Sequence, residues 1–161
     1  MNKALLTVLF ILPLAANAVD WVDLGKSNDN NFQNFLDYDS VKRQDIQVMK
    51  TGGFTPYENQ PKYISAIFQT TYINDNPLRK KGMYYSKQQW FISCEKQTFY
   101  INAWIDYGFK NEVVNSGQPK KNFLLESDFN YAFPDTAGGD AIEQACNSIL
   151  LKELDSTENY E

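Results

Sequence analysis

The sequence predicts an α+β fold: a single antiparallel, meandering β-sheet with a C-terminal α-helix packed on it and one disulfide. Three observations predict it. Between Trp21 and Tyr107, apolar and polar side chains alternate in stretches separated by turn-forming runs, the pattern of half-buried strands. The connections are too short for the crossovers that parallel strands require. After Gly139 the period changes, and Ala141, Ile142, Ala145, Cys146, Ile149 and Leu150 fall on one helical stripe. Strands followed by a helix belong to the α+β class.

The chain begins with a secretory pattern. Lys3 supplies the positive n-region, ALLTVLFILPLAA (Ala4–Ala16) the apolar run, and Ala16-Asn17-Ala18 a small-x-small cleavage site. The run is too short to span a bilayer, which takes about 20 residues. Residues 1–18 therefore read as a signal peptide. Residues 19–152 read as a single domain and residues 153–161 as a flexible acidic tail. Export to an oxidising compartment turns the two cysteines into one expected disulfide, Cys94–Cys146.

The elements follow in order. WVDLG (Trp21–Gly25) is a first strand and KSNDNN (Lys26–Asn31) a turn. FQNFLDY (Phe32–Tyr38) is a second strand, closed by a turn at DSVKRQD (Asp39–Asp45), and IQVMKT (Ile46–Thr51) is a third. GGFTPYENQP (Gly52–Pro61) has two glycines and two prolines and reads as a loop. KYISAIFQTTYIN (Lys62–Asn74) is a long strand with Ile64, Ala66, Phe68, Thr70 and Tyr72 on one face, and DNPLRKKG (Asp75–Gly82) is a loop. Tyr84–Tyr107 forms two strands and NEVVN (Asn111–Asn115) another; NFLLESDFNYAF (Asn122–Phe133) reads as irregular or a short edge strand. Asp140 and Glu143 form a capping pair for a helix over Asp140–Lys152.

Tyr84–Tyr107 carries eight aromatic residues. A four-residue turn at Glu95–Thr98 sets Cys94 opposite Phe99, Ile92 opposite Ile101 and Trp90 opposite Ala103. One side, side A, then holds Trp90, Ile92, Cys94, Phe99, Ile101, Ala103, Ile105 and Tyr107 and faces the helix. With Cys146 on the helix's apolar stripe, the two periodicities aim the cysteines at each other. Side B carries Tyr85, Phe91, Tyr100 and Trp104 among polar residues, with a Lys87–Asp106 cross-strand ion pair. Two readings of these four rings stand. Either loops or the N-terminal strands cover them, or they form a partner or dimer surface of the mixed aromatic and polar kind used in protein recognition.

Composition narrows the function. The chain has 15 basic and 20 acidic residues and no histidine. An acidic chain with no clustered basic stripe, only the isolated pairs Lys80-Lys81 and Lys120-Lys121, is a poor nucleic-acid binder. The absence of histidine removes the commonest general base and most zinc sites. No glycine-rich phosphate cradle is present, so no cofactor is expected. Asp37 and Asp39 share a strand face, but nothing marks a substrate groove around them. SNDNN (Ser27–Asn31) lacks the alternation of a calcium loop. Gly138-Gly139 reads as an entry turn to the helix rather than an anion site. The chain therefore reads as non-enzymatic and metal-free.

These features have a family likeness. An exported chain opens on WVDLG and continues to FLDYDSV (Phe35–Val41). An aromatic strand runs into Cys94, and a Pro134-Asp135 loop leads to a helix bearing Cys146. This layout resembles the surface-adhesin protein E family of Gram-negative bacteria over Trp21–Leu150, through the order and spacing of its motifs. The resemblance implies a small antiparallel-sheet domain with a helix and no enzymatic activity. It also implies binding of host matrix or plasma proteins such as vitronectin, laminin or plasminogen, with homodimerisation as a further expectation. One departure is that the adhesin naming the family is a surface lipoprotein, whereas no cysteine follows the apolar run here. The alternative expectation is a soluble periplasmic accessory or structural protein with no host ligand. No ligand-contacting residue of the family carries over by motif.

Overall fold

The computed structural model describes residues 19–27, 31–49, 63–119, 121 and 123–158, without the side chains of 157 and 158. The expected signal peptide, the Gly52–Pro61 loop and the centre of the Lys26–Asn31 turn lie outside these residues.

Among the described residues nine strands and two α-helices are formed. They are β1 (Trp21–Lys26), β2 (Phe32–Gln44), β3 (Val48–Met49), β4 (Tyr63–Tyr72), α1 (Pro77–Lys80), β5 (Tyr85–Ser93), β6 (Thr98–Tyr107), β7 (Val113–Gly117), β8 (Leu124–Leu125), β9 (Asn130–Tyr131) and α2 (Ala137–Glu158). The main sheet runs β1-β2-β4-β5-β6-β7 with every neighbour antiparallel, and β9 pairs with the start of β6. The expected fold class is therefore present. One addition to the single sheet is a two-residue parallel pair, β3 with β8.

The core lies between side A and α2. Leu36, Ile64, Phe68 and Ile92 from the sheet meet Ala141, Ile142, Ala145 and Ile149 from the helix. Leu36 pairs with Phe68, and Ile64 with Ile92, so alternation along β2, β4 and β5 delivers these side chains to the same side. Each large apolar side chain buried there contributes about 1.5–3 kcal/mol. Leu150, expected on the stripe, is instead exposed.

Three local readings are corrected. The expected turn at Asp39–Asp45 is mostly strand, because β2 continues to Gln44 through a register shift between Asp37 and Lys42. Turn-forming side chains replace the missing ladder bonds there. Asp37 Oδ1 accepts the Ser40 N–H at 3.2 Å, and the Ser40 hydroxyl donates to the Asp37 carbonyl at 2.6 Å and accepts the Ile67 N–H at 2.8 Å. The strand bends instead of reversing. Within the Asp75–Gly82 loop, Pro77 opens one helical turn whose Leu78 N–H is capped by Asn76 Oδ1 at 2.8 Å.

The third correction concerns α2, which begins three residues early and ends six residues late. Thr136, rather than Asp140, is the cap: its hydroxyl accepts the Gly139 N–H at 3.2 Å. Gly139 is needed because a methyl group there would overlap the Phe133 carbonyl oxygen. Beyond Lys152, ties to β2 hold the segment read as a tail. Lys152 Nζ donates to the Tyr38 and Val41 carbonyls at 2.6 and 3.1 Å and lies 4.5 Å from the Tyr38 ring centre. Arg43 donates to both Glu153 oxygens at 2.7 and 2.8 Å. The helix therefore clasps the bend of β2.

Candidate binding face

The β5–β6 hairpin positions every aromatic residue singled out in the sequence. Its turn is Cys94–Gln97, one residue earlier than expected, and Gln97 adopts φ 53°. Near the turn Ile92 pairs with Phe99, Phe91 with Tyr100, and Trp90 with Ile101. This register differs from the expected one by an even step, so Trp90, Ile92, Phe99 and Ile101 still share side A. Trp90 stacks on Phe99 with centroids 4.3 Å apart.

Asn102 then interrupts the ladder: Trp90 pairs with Ile101 but Gln89 pairs with Ala103. The extra residue is a bulge, and a one-residue slip exchanges the two sides of everything beyond it. Gln88 faces Trp104, Ser86 faces Asp106, and Tyr85 faces Tyr107. Trp104 is therefore on side A, not on side B, and Ala103, Ile105 and Tyr107 are on side B, not on side A. The expected Lys87–Asp106 pair is replaced: Lys87 opposes Ile105 and lies 5.2 Å from the Trp21 ring centre. Asp106 is buried and accepts a hydrogen bond from Asn115 Nδ2 at 2.9 Å.

The four candidate rings thus fall into three settings. Trp104 packs over Gly117 of β7, where a methyl group would overlap its six-membered ring. A glycine in a strand is a mark of such close approach. Phe91 and Tyr100 belong to an aromatic row on side B: Tyr63 meets Phe129 at 5.2 Å, Phe129 meets Tyr100 at 5.8 Å, and Tyr100 meets Phe91 at 6.5 Å. Phe129, after the short 3-10 turn Glu126–Asp128, helps cover Tyr100, which is only 8 % exposed. Tyr63 is 4 % exposed. Burial, with the Glu126 carboxylate adding to it, pushes its phenol up to about 12.

Tyr85 has a different neighbour. It stacks on Tyr107 with centroids 4.5 Å apart and planes 14° from parallel, and its hydroxyl is 3.1 Å from Asn111 Oδ1. Burial raises its pKa, with the Tyr107 phenol contributing. Beside this stack Ile105 is 37 % exposed on side B. Alternation alone assigns Ile105 and Tyr107 to the core face, because Phe99, Ile101, Ala103, Ile105 and Tyr107 alternate without a break in sequence. Gly117, opposite Trp104, is the one residue type that marks the altered side.

The disulfide lies at the turn end of this hairpin. Cys94 is the first turn residue, and its bond to Cys146 brings the two Cα atoms to 5.8 Å. Thus β5–β6 is fixed to α2 at one end, while the Tyr85–Tyr107 stack occupies the other. Among the described residues no three His, Cys, Asp or Glu side chains converge as metal ligands, and no helix is long and apolar enough to cross a membrane.

The chain matches no protein-family model and no curated protein.

Proposed function

We propose that the mature chain is an exported, non-enzymatic binding protein of adhesin type, related to the surface-adhesin protein E family, that takes a host matrix or plasma protein on side B. The observation that carries this reading is the patch formed by the stacked Tyr85 and Tyr107 beside the exposed Ile105. Rigid tyrosines give large amphipathic contact area at low entropic cost, as protein-binding surfaces commonly do. Phe91 lies on the same side toward the hairpin turn, beside the largely buried Tyr100. Trp104, on side A, is left out. The disulfide is compatible with export, since such bonds persist in oxidising compartments.

The experiment is an immobilised-ligand assay with vitronectin, laminin and plasminogen. The variant Tyr85→Ala/Ile105→Asp/Tyr107→Ala is expected to lose binding, and Trp104→Phe to keep it. Undiminished binding by the folded triple variant would remove side B from the reading. The second reading is a soluble periplasmic accessory protein with no host ligand. Both cysteines of the sequence lie in the disulfide, which leaves neither thiol for lipid attachment. Cell fractionation separates the two: protein found only in the soluble periplasm favours the accessory role.

A further inference from the structure

Side A contains a cleft that the side B patch does not use. It lies between the first turn of α2 and the sheet, where the helix leaves the far ends of β4 and β5 uncovered, and its volume is about 360 Å³. Phe32, Phe68, Tyr72, Leu78 and Trp90 make most of its wall apolar or aromatic, and none of its described lining residues is charged.

Two amides in the wall turn a donor to the cleft. The Trp90 indole N–H is 2.9 Å from Gln88 Oε1. An indole N–H only donates, so this bond fixes the amide with its oxygen toward Trp90 and its NH₂ group free. Gln88 Nε2 has no acceptor among the described residues. At Asn34 the Thr70 hydroxyl donates to Oδ1 at 2.9 Å, and Nδ2 has no acceptor among the described residues. Burial first and the Asp106 carboxylate second raise the pKa of the Tyr72 phenol, against the lowering effect of the Ser86 hydroxyl. The cleft therefore presents two amide NH₂ donors, that of Gln88 fixed from behind by Trp90, between aromatic walls.

The geometry points to a small-molecule site for an uncharged ligand with a flat ring and an acceptor oxygen, of the aromatic amide or ketone class. The ring would lie against Phe32 and Trp90, with the oxygen accepting from Gln88 Nε2 and Asn34 Nδ2. An ion is disfavoured because the lining has no countercharge to replace its hydration. The helix N-terminus does not alter this, since Asp140 already complements it from the first turn.

Three small aromatic probes of different charge test the site on the oxidised mature protein: benzamide, benzoate and benzylammonium. Benzamide is expected to give saturation transfer and to move the Trp90 indole N–H resonance, with the other two at least tenfold weaker. Gln88→Leu is expected to weaken benzamide at least tenfold. Gln88→Glu keeps the acceptor for Trp90 and puts an oxygen where the NH₂ group was, so it is expected to shift preference to benzylammonium. Equal binding of all three probes, no benzamide binding up to its solubility, or a Gln88→Glu variant with the wild-type preference would each overturn the assignment.

Discussion

Replacing Cys94 and Cys146 together by alanine removes the bond that joins the β5–β6 turn to α2. The two residues are 52 apart in sequence. The chain-entropy relation for a loop of that length gives about 14 cal/mol/K, or about 4 kcal/mol at 25 °C. A domain of this size has an unfolding entropy near 0.3 kcal/mol/K, so the expected fall in Tm is roughly 10–15 °C. Urea titrations of the oxidised wild type and the double-alanine variant, followed by circular dichroism at pH 7, measure the difference. The m-value should rise in the variant, because its unfolded chain is less compact. A loss below about 1 kcal/mol with an unchanged m-value would refute the reasoning. It would mean that the unfolded state already holds the hairpin near the helix, or that core contacts alone fix α2.

Three further outcomes follow from the geometry. Lys152→Met keeps the stem of the side chain but leaves the Tyr38 and Val41 carbonyls without their charged donor; a loss of about 1.5–3 kcal/mol is expected in the same titration. Gly117→Ala forces Trp104 to move, at about 1–3 kcal/mol, and Trp104→Ala in the same chain should recover most of that, as a double-mutant cycle would reveal. Tyr63 is buried with its pKa raised from 10 to about 12, so its neutral form favours folding. That contribution is complete below pH 10, declines as the unfolded phenol ionises, and is lost once the pH passes 12. Between pH 8 and 11 the wild type should therefore lose about 1.4 kcal/mol more than Tyr63→Phe, and parallel pH profiles of the two would contradict the assignment.

Much of the fold was legible because alternation and burial agree. Ile64, Ala66, Phe68, Thr70 and Tyr72 share a side as the spacing requires, and the Ala141–Ile149 stripe meets the first three. The disulfide followed from the cysteine count and from both periodicities. What was not legible is where a strand keeps pairing while its register changes. Asp37 and Ser40 are turn formers by propensity, yet here their side chains stand in for ladder bonds and β2 continues. The end of α2 was hidden for a related reason. The sequence after Lys152 is polar and acidic, and it stays helical beside contacts made by Arg43 and Tyr38, more than a hundred residues away. At the candidate face, Tyr85, Phe91 and Tyr100 were placed on the right side, and Trp104 was not. Both registers of Phe99–Tyr107 look amphipathic, so hydrophobic pattern alone has no means of choosing between them.

The bulge at Asn102 also governs how this hairpin can change. Deletion of Asn102 would leave Gln88 opposite Trp104 and Tyr85 opposite Tyr107, because it removes the unpaired residue and restores unbroken alternation. An insertion or deletion between Ala103 and Tyr107 would instead exchange the sides of the residues beyond it. Proteins built on the same plan should therefore tolerate loss of the residue at 102 while keeping the number of residues from Ala103 to Tyr107 constant. In an alignment, a gap in that shorter interval would be a better sign of an altered binding face than any single replacement within it.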